Sequence, residues 1–265
     1  NHNIWMTHFL YEGKDAYPLI DAWIENDAEK YWREKEADKG YSAQMSPAAM
    51  NQYRMYGLMP IGDTPRNGGW WYHTDPETRL RWYGKPIGGG DTPAGRDNII
   101  DSKEKKFADI TKAAFDPKVR PVDIFGSDRS REQHVPIIDA LVNNNEGQFQ
   151  VNVPNQGALA GLPDDVAVEV PAIVNIKGIQ PIRVQPLPRK IMLECIYPDW
   201  LHMERTLEAI KTADRSMLLY NVLDNHHTRS YDQAQEVLET IMSLEHNQAM
   251  NAYYKYPNKL PGGLK

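Results

Sequence analysis

A chain of 265 residues with a net charge of −6 has room for one large or two modest domains with a real core, and it carries no basic block for a nucleic-acid surface. Its single cysteine excludes an internal disulfide framework and fits a reducing compartment. No apolar run approaches the roughly 18 residues of a membrane span, and Asn1-His-Asn-Ile-Trp-Met6 has neither the basic start nor the apolar stretch of a signal peptide. A soluble, cytoplasmic protein is expected, with no nucleic-acid or membrane partner.

The chain has no initiator Met and opens directly on a strand, Ile4 to Tyr11, which implies a fragment whose upstream half is absent. After Lys14-Asp15 the residues Leu19, Ile20, Trp23, Ile24 and Ala28 recur at helical spacing, and Tyr31 and Trp32 extend the stripe. Asp15 is placed to cap this helix. Ser46-Pro47 opens a second helix with a cap and a first-turn proline, and this helix runs to Gly57.

It delivers the chain to Met59-Pro-Ile-Gly-Asp-Thr-Pro-Arg66, where two glycines, counting Gly57, and two prolines around Asp63 predict a turn rather than a helix or strand. A carboxylate, a guanidinium and a hydroxyl sit together there, and Trp70, Trp71, Tyr72 and His73 follow. Such loops build sugar or anion sites, and they also build plain structural corners. Asp75-Pro76 and Thr78 begin a short helix. Gly88 to Gly95 reads as a loop, because no Lys-Ser/Thr pair follows its three glycines and no strand precedes them. Ser102 to Ala114 reads as a charged helix, and Pro117 to Arg131 as a polar loop.

Glu132 to Leu141 is helical apart from Pro136, which lies in the first turn or kinks the helix, and Asn143 to Gly147 is a turn. Gln148 to Val153 alternates as a strand, Val166 to Val170 starts a second strand punctuated by Pro171, and Ala172 to Ile182 continues the sheet through a hairpin at Lys177-Gly178. From Pro188 to Tyr254 the apolar spacing is helical, clearest at Met203/Leu207/Ile210 and Val237/Leu238/Ile241/Leu244. Strand and helix do not alternate regularly, which favours an α+β fold. No dinucleotide-binding glycine fingerprint, Gly-x-Ser-x-Gly elbow or His-Glu-x-x-His helix is present.

Asn1-His2 before a Trp-containing strand, Tyr56 to Arg66, Gln133 to Leu141, Val151 to Gly157 and Leu162 to Pro171 occur in this order. Together they resemble the C-terminal part of glycoside hydrolase family 4, the NAD- and manganese-dependent glycosidases, nearest its α-glucosidase branch. The resemblance implies a lactate dehydrogenase C-terminal-like domain over residues 1–265, with helices on a mostly antiparallel sheet and the N-terminal Rossmann domain absent. It also implies a reaction outside two-carboxylate hydrolysis: NAD takes hydride from C3 of the sugar, a base removes the C2 proton, the aglycone leaves C1, water adds and the hydride returns. A divalent metal (Mn2+ or another) polarises the C2 and C3 oxygens.

Carried over by motif, His2 is the metal ligand, Asp63 the base at C2, Asn1 a polar contact to sugar or cofactor, Thr64 a hydroxyl contact to sugar, Arg66 a sugar contact or the group that orients Asp63, and His134 part of the sugar site or of the face toward an adjoining subunit. Read without the family, His134 is equally a buried, satisfied histidine. Trp70, Trp71 and Tyr72 are stacking surfaces or core, Asn152 and Asn155 touch ligand or organise a turn, and Asp164-Asp165 face water. Cys195 is not the family's metal cysteine, which precedes the Asn-His motif. The resemblance further implies a homodimer or homotetramer, with Tyr253-Tyr254-Lys-Tyr256 suited to contacts, and an isolated chain that is inactive. Rival readings are an α-galactosidase or α-galacturonidase of the same family, a hydroxy-acid dehydrogenase-like oxidoreductase, and a non-catalytic sugar-binding or oligomerisation module.

Overall fold

The computed structural model describes residues 3–38, 43–67, 75–84, 92–128 and 132–258. They fall into two units, the first from residues 3–66 and 80–187 and the second from residues 67–79 and 188–258. Every described strand, all in small antiparallel pairings, lies in the first unit, and the second is helical apart from a parallel bridge between Asp214 and Lys255, so the chain as a whole has the α+β class expected.

In the first unit the expected strand from Ile4 to Tyr11 divides. β1 (Ile4–Met6) is separate from a hairpin of β2 (Leu10–Tyr11) and β3 (Lys14–Asp15), whose turn places Glu12 and Gly13 at positive φ. The single helix expected next is two, α1 (Tyr17–Asn26) and α2 (Ala28–Asp38), parted at Asp27. The apolar stripe survives the break, because Trp23 meets Tyr31 and Trp32 edge-on at centroid distances of 5.6 and 6.2 Å. The N-cap is Ala16 and not Asp15, which lies one residue ahead of it and accepts through Oδ1 from the backbone N–H of Tyr17 at 3.1 Å.

α3 (Pro47–Tyr56) has the expected boundaries. Ser46 Oγ accepts from Ala49 N–H, Pro47 occupies the first turn, and Gly57 at φ 78° ends the helix in a left-handed conformation. β4 (Met59–Ile61) then returns antiparallel to β1. Ala49, Met50 and Met59 form the local core, with Met6, Tyr17, Ile20, Trp23 and Ile24 packed on it.

Two short helices follow, α4 (Thr64–Asn67) and α5 (Pro76–Tyr83), the latter with Asp75 Oδ2 accepting from Thr78 N–H at 2.8 Å. The charged helix is longer than expected. α6 spans Pro93–Ala114, and Thr92 caps it by accepting from Gly95 N–H at 3.0 Å. Thr-Pro ahead of a helical run is a start signal, so Pro93 to Gly95 belong to the helix and not to the preceding loop. α7 (Pro121–Phe125) interrupts the expected polar loop.

α8 (His134–Asn143) packs Ile137, Ala140 and Leu141 against β5 (Gly147–Pro154) and β6 (Ala167–Asn175), with Val151, Ala172 and Val174. β7 (Gly178–Pro181) completes a sheet in the order β5-β6-β7. Pro171 does not end a strand. Its carbonyl accepts from Ile182 N–H at 2.8 Å, so its backbone faces the end of the β7 ladder, and the pair Gln150–Pro171 asks no proline N–H of β5. The hairpin turn is Ile176-Lys177, with Gly178 at φ 106° opening β7, one residue earlier than expected.

The helical run of the second unit is α9 (Arg189–Ile191), a π-helical turn at Met192–Ile196, α10 (Tyr197–Thr212), α11 (Arg215–Leu223), α12 (Tyr231–Ser243) and α13 (Gln248–Tyr253). The wider turn lies where the ring of Pro198 would meet the carbonyl of Glu194. The core is Ala209, Leu219, Ala234, Leu238, Met242 and Tyr254. Met203, Leu207 and Ile210 do not join it. They are 51, 43 and 50 % exposed, and Val237, Ile241 and Leu244 are also exposed beside buried Leu238.

Candidate functional site

The Asp63 segment is not one irregular loop. Met59–Ile61 is strand β4, in register with β1 as Ile4–Ile61, Trp5–Pro60 and Met6–Met59, and only Gly62 and Asp63 form the turn before α4. A two-stranded sheet has an outer edge on each strand, where the missing N–H of Pro60 is tolerated. Gly62 takes φ 62°, a conformation that costs a glycine little.

Three polar contacts fix this turn. Thr64 is buried, and its Oγ1 accepts from Ile4 N–H at 2.7 Å and donates to Ile4 O at 3.3 Å. Gln44 Nε2 donates to Gly62 O at 2.6 Å. At the far end of the strand pair, Tyr17 Oη donates to Met6 O at 2.5 Å and accepts from Met59 N–H at 3.0 Å. Pro60 and Pro65 are fully buried, and half-buried Asp63 sits between them in the chain. A carboxylate on a short turn, clamped on both sides, is held in place without a long side-chain lever.

Thr64 was a sugar-contact candidate, and its hydroxyl is instead spent on Ile4. Tyr17 and Gln44 escaped the sequence reading, since partners 42 and 18 residues away leave no local pattern. So did Gln52 of α3, which is fully buried with neither amide atom hydrogen-bonded among the described residues. Its only signal is a polar residue in the helical register of buried Ala48, Ala49 and Tyr56.

Burial raises the Tyr17 hydroxyl above the ordinary tyrosine range, against the hydrogen bond from Met59, with Asp15 adding to the rise. Tyr53 stacks on Tyr17 at 5.5 Å, and burial together with its hydrogen bond to Asp21 pushes it up to about 12. Both phenols stay neutral and donate at ordinary pH.

Asn1 and His2 lie outside the described residues, as do Trp70, Trp71, Tyr72, His73 and Gly88 to Gly90. The backbone of Arg66 belongs to α4, and its side chain lies outside what is described. His134 heads α8 and is exposed, not buried. Asn155 organises a turn: buried, it donates to the carbonyls of Leu159, Leu162 and Pro163 and accepts from Leu159 N–H. Asn152, Asp164 and Asp165 are exposed. Cys195 is half-buried in the π-helical turn. Among the described residues no three His, Cys, Asp or Glu side chains gather as a metal shell. No described helix is long and apolar enough to cross a membrane.

With this geometry in hand, relatives can be compared. The chain is similar to an alpha-galacturonidase of Lachnoclostridium phytofermentans, at 24 % identity over 227 residues, 83 % of this chain and 46 % of that one. It is 39 % identical over 59 residues, 22 % of this chain and 13 % of the relative, to an alpha-glucosidase of Erwinia rhapontici. Its fold resembles that of a 6-phospho-alpha-glucosidase from gut microorganisms solved with NAD and Mn2+, with a TM-score of 0.61 at 20 % identity, covering 95 % of this chain and 54 % of the other. The chain thus spans about half the length of the relatives it matches along most of its own. The model of the family 4 glycosyl hydrolase C-terminal domain matches residues 1–228. By that match over most of its length, the chain belongs to family 4 of the glycosyl hydrolases through its C-terminal domain.

Proposed function

We propose that this chain is the substrate- and metal-side domain of an NAD- and manganese-dependent glycosidase whose substrate is an α-glucoside. In this reading Asp63 removes the proton at C2 of the sugar, His2 is a ligand of the divalent metal, Asn1, Arg66 and His134 contact the sugar, and buried Thr64 holds the Asp63 turn in place. The observation that carries it is the clamp of Thr64 on Ile4, which ties the Asp63 turn to the strand that follows the Asn1-His2 motif. The described donors do not compose a metal shell, so the role of His2 rests on its motif, and the part of the chemistry assigned to this chain is proton removal by Asp63. The cofactors NAD and Mn2+ are inferred from the family and from the contents of a structural neighbour. Homodimer or homotetramer assembly belongs to the same reading and is tested by sedimentation velocity.

An α-galacturonide is the second substrate reading. The similarity to an alpha-galacturonidase along most of this chain favours it, and Arg66 has the chemistry to clamp a uronate carboxylate bidentately.

The test is hydrolysis of nitrophenyl α-glucoside and α-galacturonide by the protein that carries these residues, with and without NAD, Mn2+ and a thiol reductant. Turnover that needs NAD and Mn2+ together, with deuterium entering C2 of the product in D2O, is expected, and the preferred glycoside decides between the two substrates. Asp63→Asn is expected to lower kcat by about 10²- to 10⁴-fold. The 265-residue chain by itself is expected to be silent, because it contains no dinucleotide-binding glycine fingerprint. Activity indifferent to NAD sinks the reading.

A further inference from the structure

An open groove runs along one side of α3 in the first unit. It is lined by Asp21 and Ile24 of α1 and by Met50, Asn51, Tyr53 and Arg54 of α3. Its volume of about 550 Å³ lies within the roughly 300–1,000 Å³ common for small-molecule sites. The walls divide by chemistry: Ile24, Met50 and the Tyr53 ring are apolar, while Asp21, Asn51 and Arg54 supply hydrogen-bonding groups of both kinds.

Tyr53 is preset. Its ring stacks on Tyr17 at an interplanar angle of 23°, and its hydroxyl donates to Asp21 Oδ1 at 2.9 Å. Tyr17 does not line the groove, so Tyr53 offers the groove a surface other than the stacked face. The second oxygen of Asp21 accepts nothing from the described residues. Arg54 is exposed in the last turn of α3 and forms no ion pair among them.

We propose that this groove is a second saccharide site, which takes one pyranose ring of a longer substrate chain. A pyranose has an apolar C–H face and a rim of hydroxyls, matching the Tyr53–Met50–Ile24 surface and the Asp21 and Arg54 edges. Paired acceptor and donor suit the vicinal hydroxyls of a neutral ring, and Arg54 also suits a uronate. The choice of a saccharide over another amphipathic solute rests on the glycosidase reading above.

The test is NMR titration of the full chain with maltotriose and, separately, with trigalacturonate, following backbone amides of residues 19–26 and 50–57. Saturable shifts confined to these amides are expected with one of the two probes, at a Kd in the millimolar range or tighter. Arg54→Ala and Tyr53→Ala are each expected to weaken that Kd by tenfold or more. Tyr53→Phe, which keeps the ring, shows that a loss in Tyr53→Ala is not unfolding, and Asp63→Asn leaves the shifts in place. No shift in the wild type with either probe overturns the proposal. So do shifts that survive Arg54→Ala and Tyr53→Ala, or that vanish in Asp63→Asn. Groove binding in a protein that hydrolyses no glycoside would sink the catalytic reading while the groove stands.

Discussion

Thr64 shows how much one hydroxyl decides. It is buried and bridges both backbone groups of Ile4, a residue 60 positions away, so its removal leaves two strand-end groups unpaired. Thr64→Val is expected to destabilise the fold by about 1–3 kcal/mol in urea denaturation, with Thr64→Ser recovering most of it. Gln52 has the opposite sign: its buried amide has no partner among the described residues, so Gln52→Met is expected to be neutral or to raise stability by about 1 kcal/mol. A drop of that size would reveal a partner such as a buried water.

Tyr53 supplies a pH dependence. Its folded value of about 12 lies above the ordinary 10.0, so the phenol binds its proton more tightly in the folded state. The stability it contributes is fully present below pH 10 and is lost as pH rises through about 12. Asp21 is the close negative partner, with Tyr17 and Asp15 beyond it. Difference titration of tyrosinate absorbance between wild type and Tyr53→Phe should show one phenol missing near pH 12. A missing phenol at pH 10 would contradict the Asp21 contact.

At the scale of elements, local chemistry and packing divide the credit. Ser46-Pro47 and Gly57 bound α3, and Asp75 and Thr92 cap α5 and α6, each by a hydrogen bond to an N–H three residues on or a left-handed glycine. Such signals are readable because they act within one turn. The stripes of the second unit were legible as helix and misleading as core. Leu238, Met242 and Ala234 of α12 are buried against Leu219 and Ala209, whereas Met203, Leu207 and Ile210 of α10 face outward. Apolar spacing reports that a face exists, and only the neighbouring helix decides which of two candidate faces is covered.

Leu238→Ala is accordingly expected to cost about 2–5 kcal/mol, and Leu207→Ala to stay within about 0.5 kcal/mol in the isolated chain. Equal costs would mean that α10 is packed differently. The tyrosine tail follows the same rule. Tyr254 is core, Lys255 exchanges backbone hydrogen bonds with Ala213 and Arg215, and Tyr256 lies over the Arg215 guanidinium at 5.9 Å. Arg215 is itself held by Glu239 and Asn251. Part of the tail expected to serve subunit contacts therefore closes its own unit.

For the whole molecule, two units with separate cores predict separate opening energies. Native-state hydrogen exchange should group the amides of α10 to α12 apart from those of α8, β5 and β6, and Leu238→Ala should accelerate only the first group. Uniform acceleration would show one cooperative body.

Readable in the residues alone were the bounds of α3, the β5-β6-β7 meander, the α+β class and the family, because capping, alternation and an ordered set of motifs are local facts about the chain. The residues also placed Asp63 on a turn. Tertiary contacts set the turn's length of two residues and its anchors, Thr64 and Gln44, put Pro60 and Pro171 inside strands and made Asn155 a scaffold. Those outcomes depend on groups brought together from distant positions, and a hydrogen bond between residues 60 apart leaves no periodicity to read.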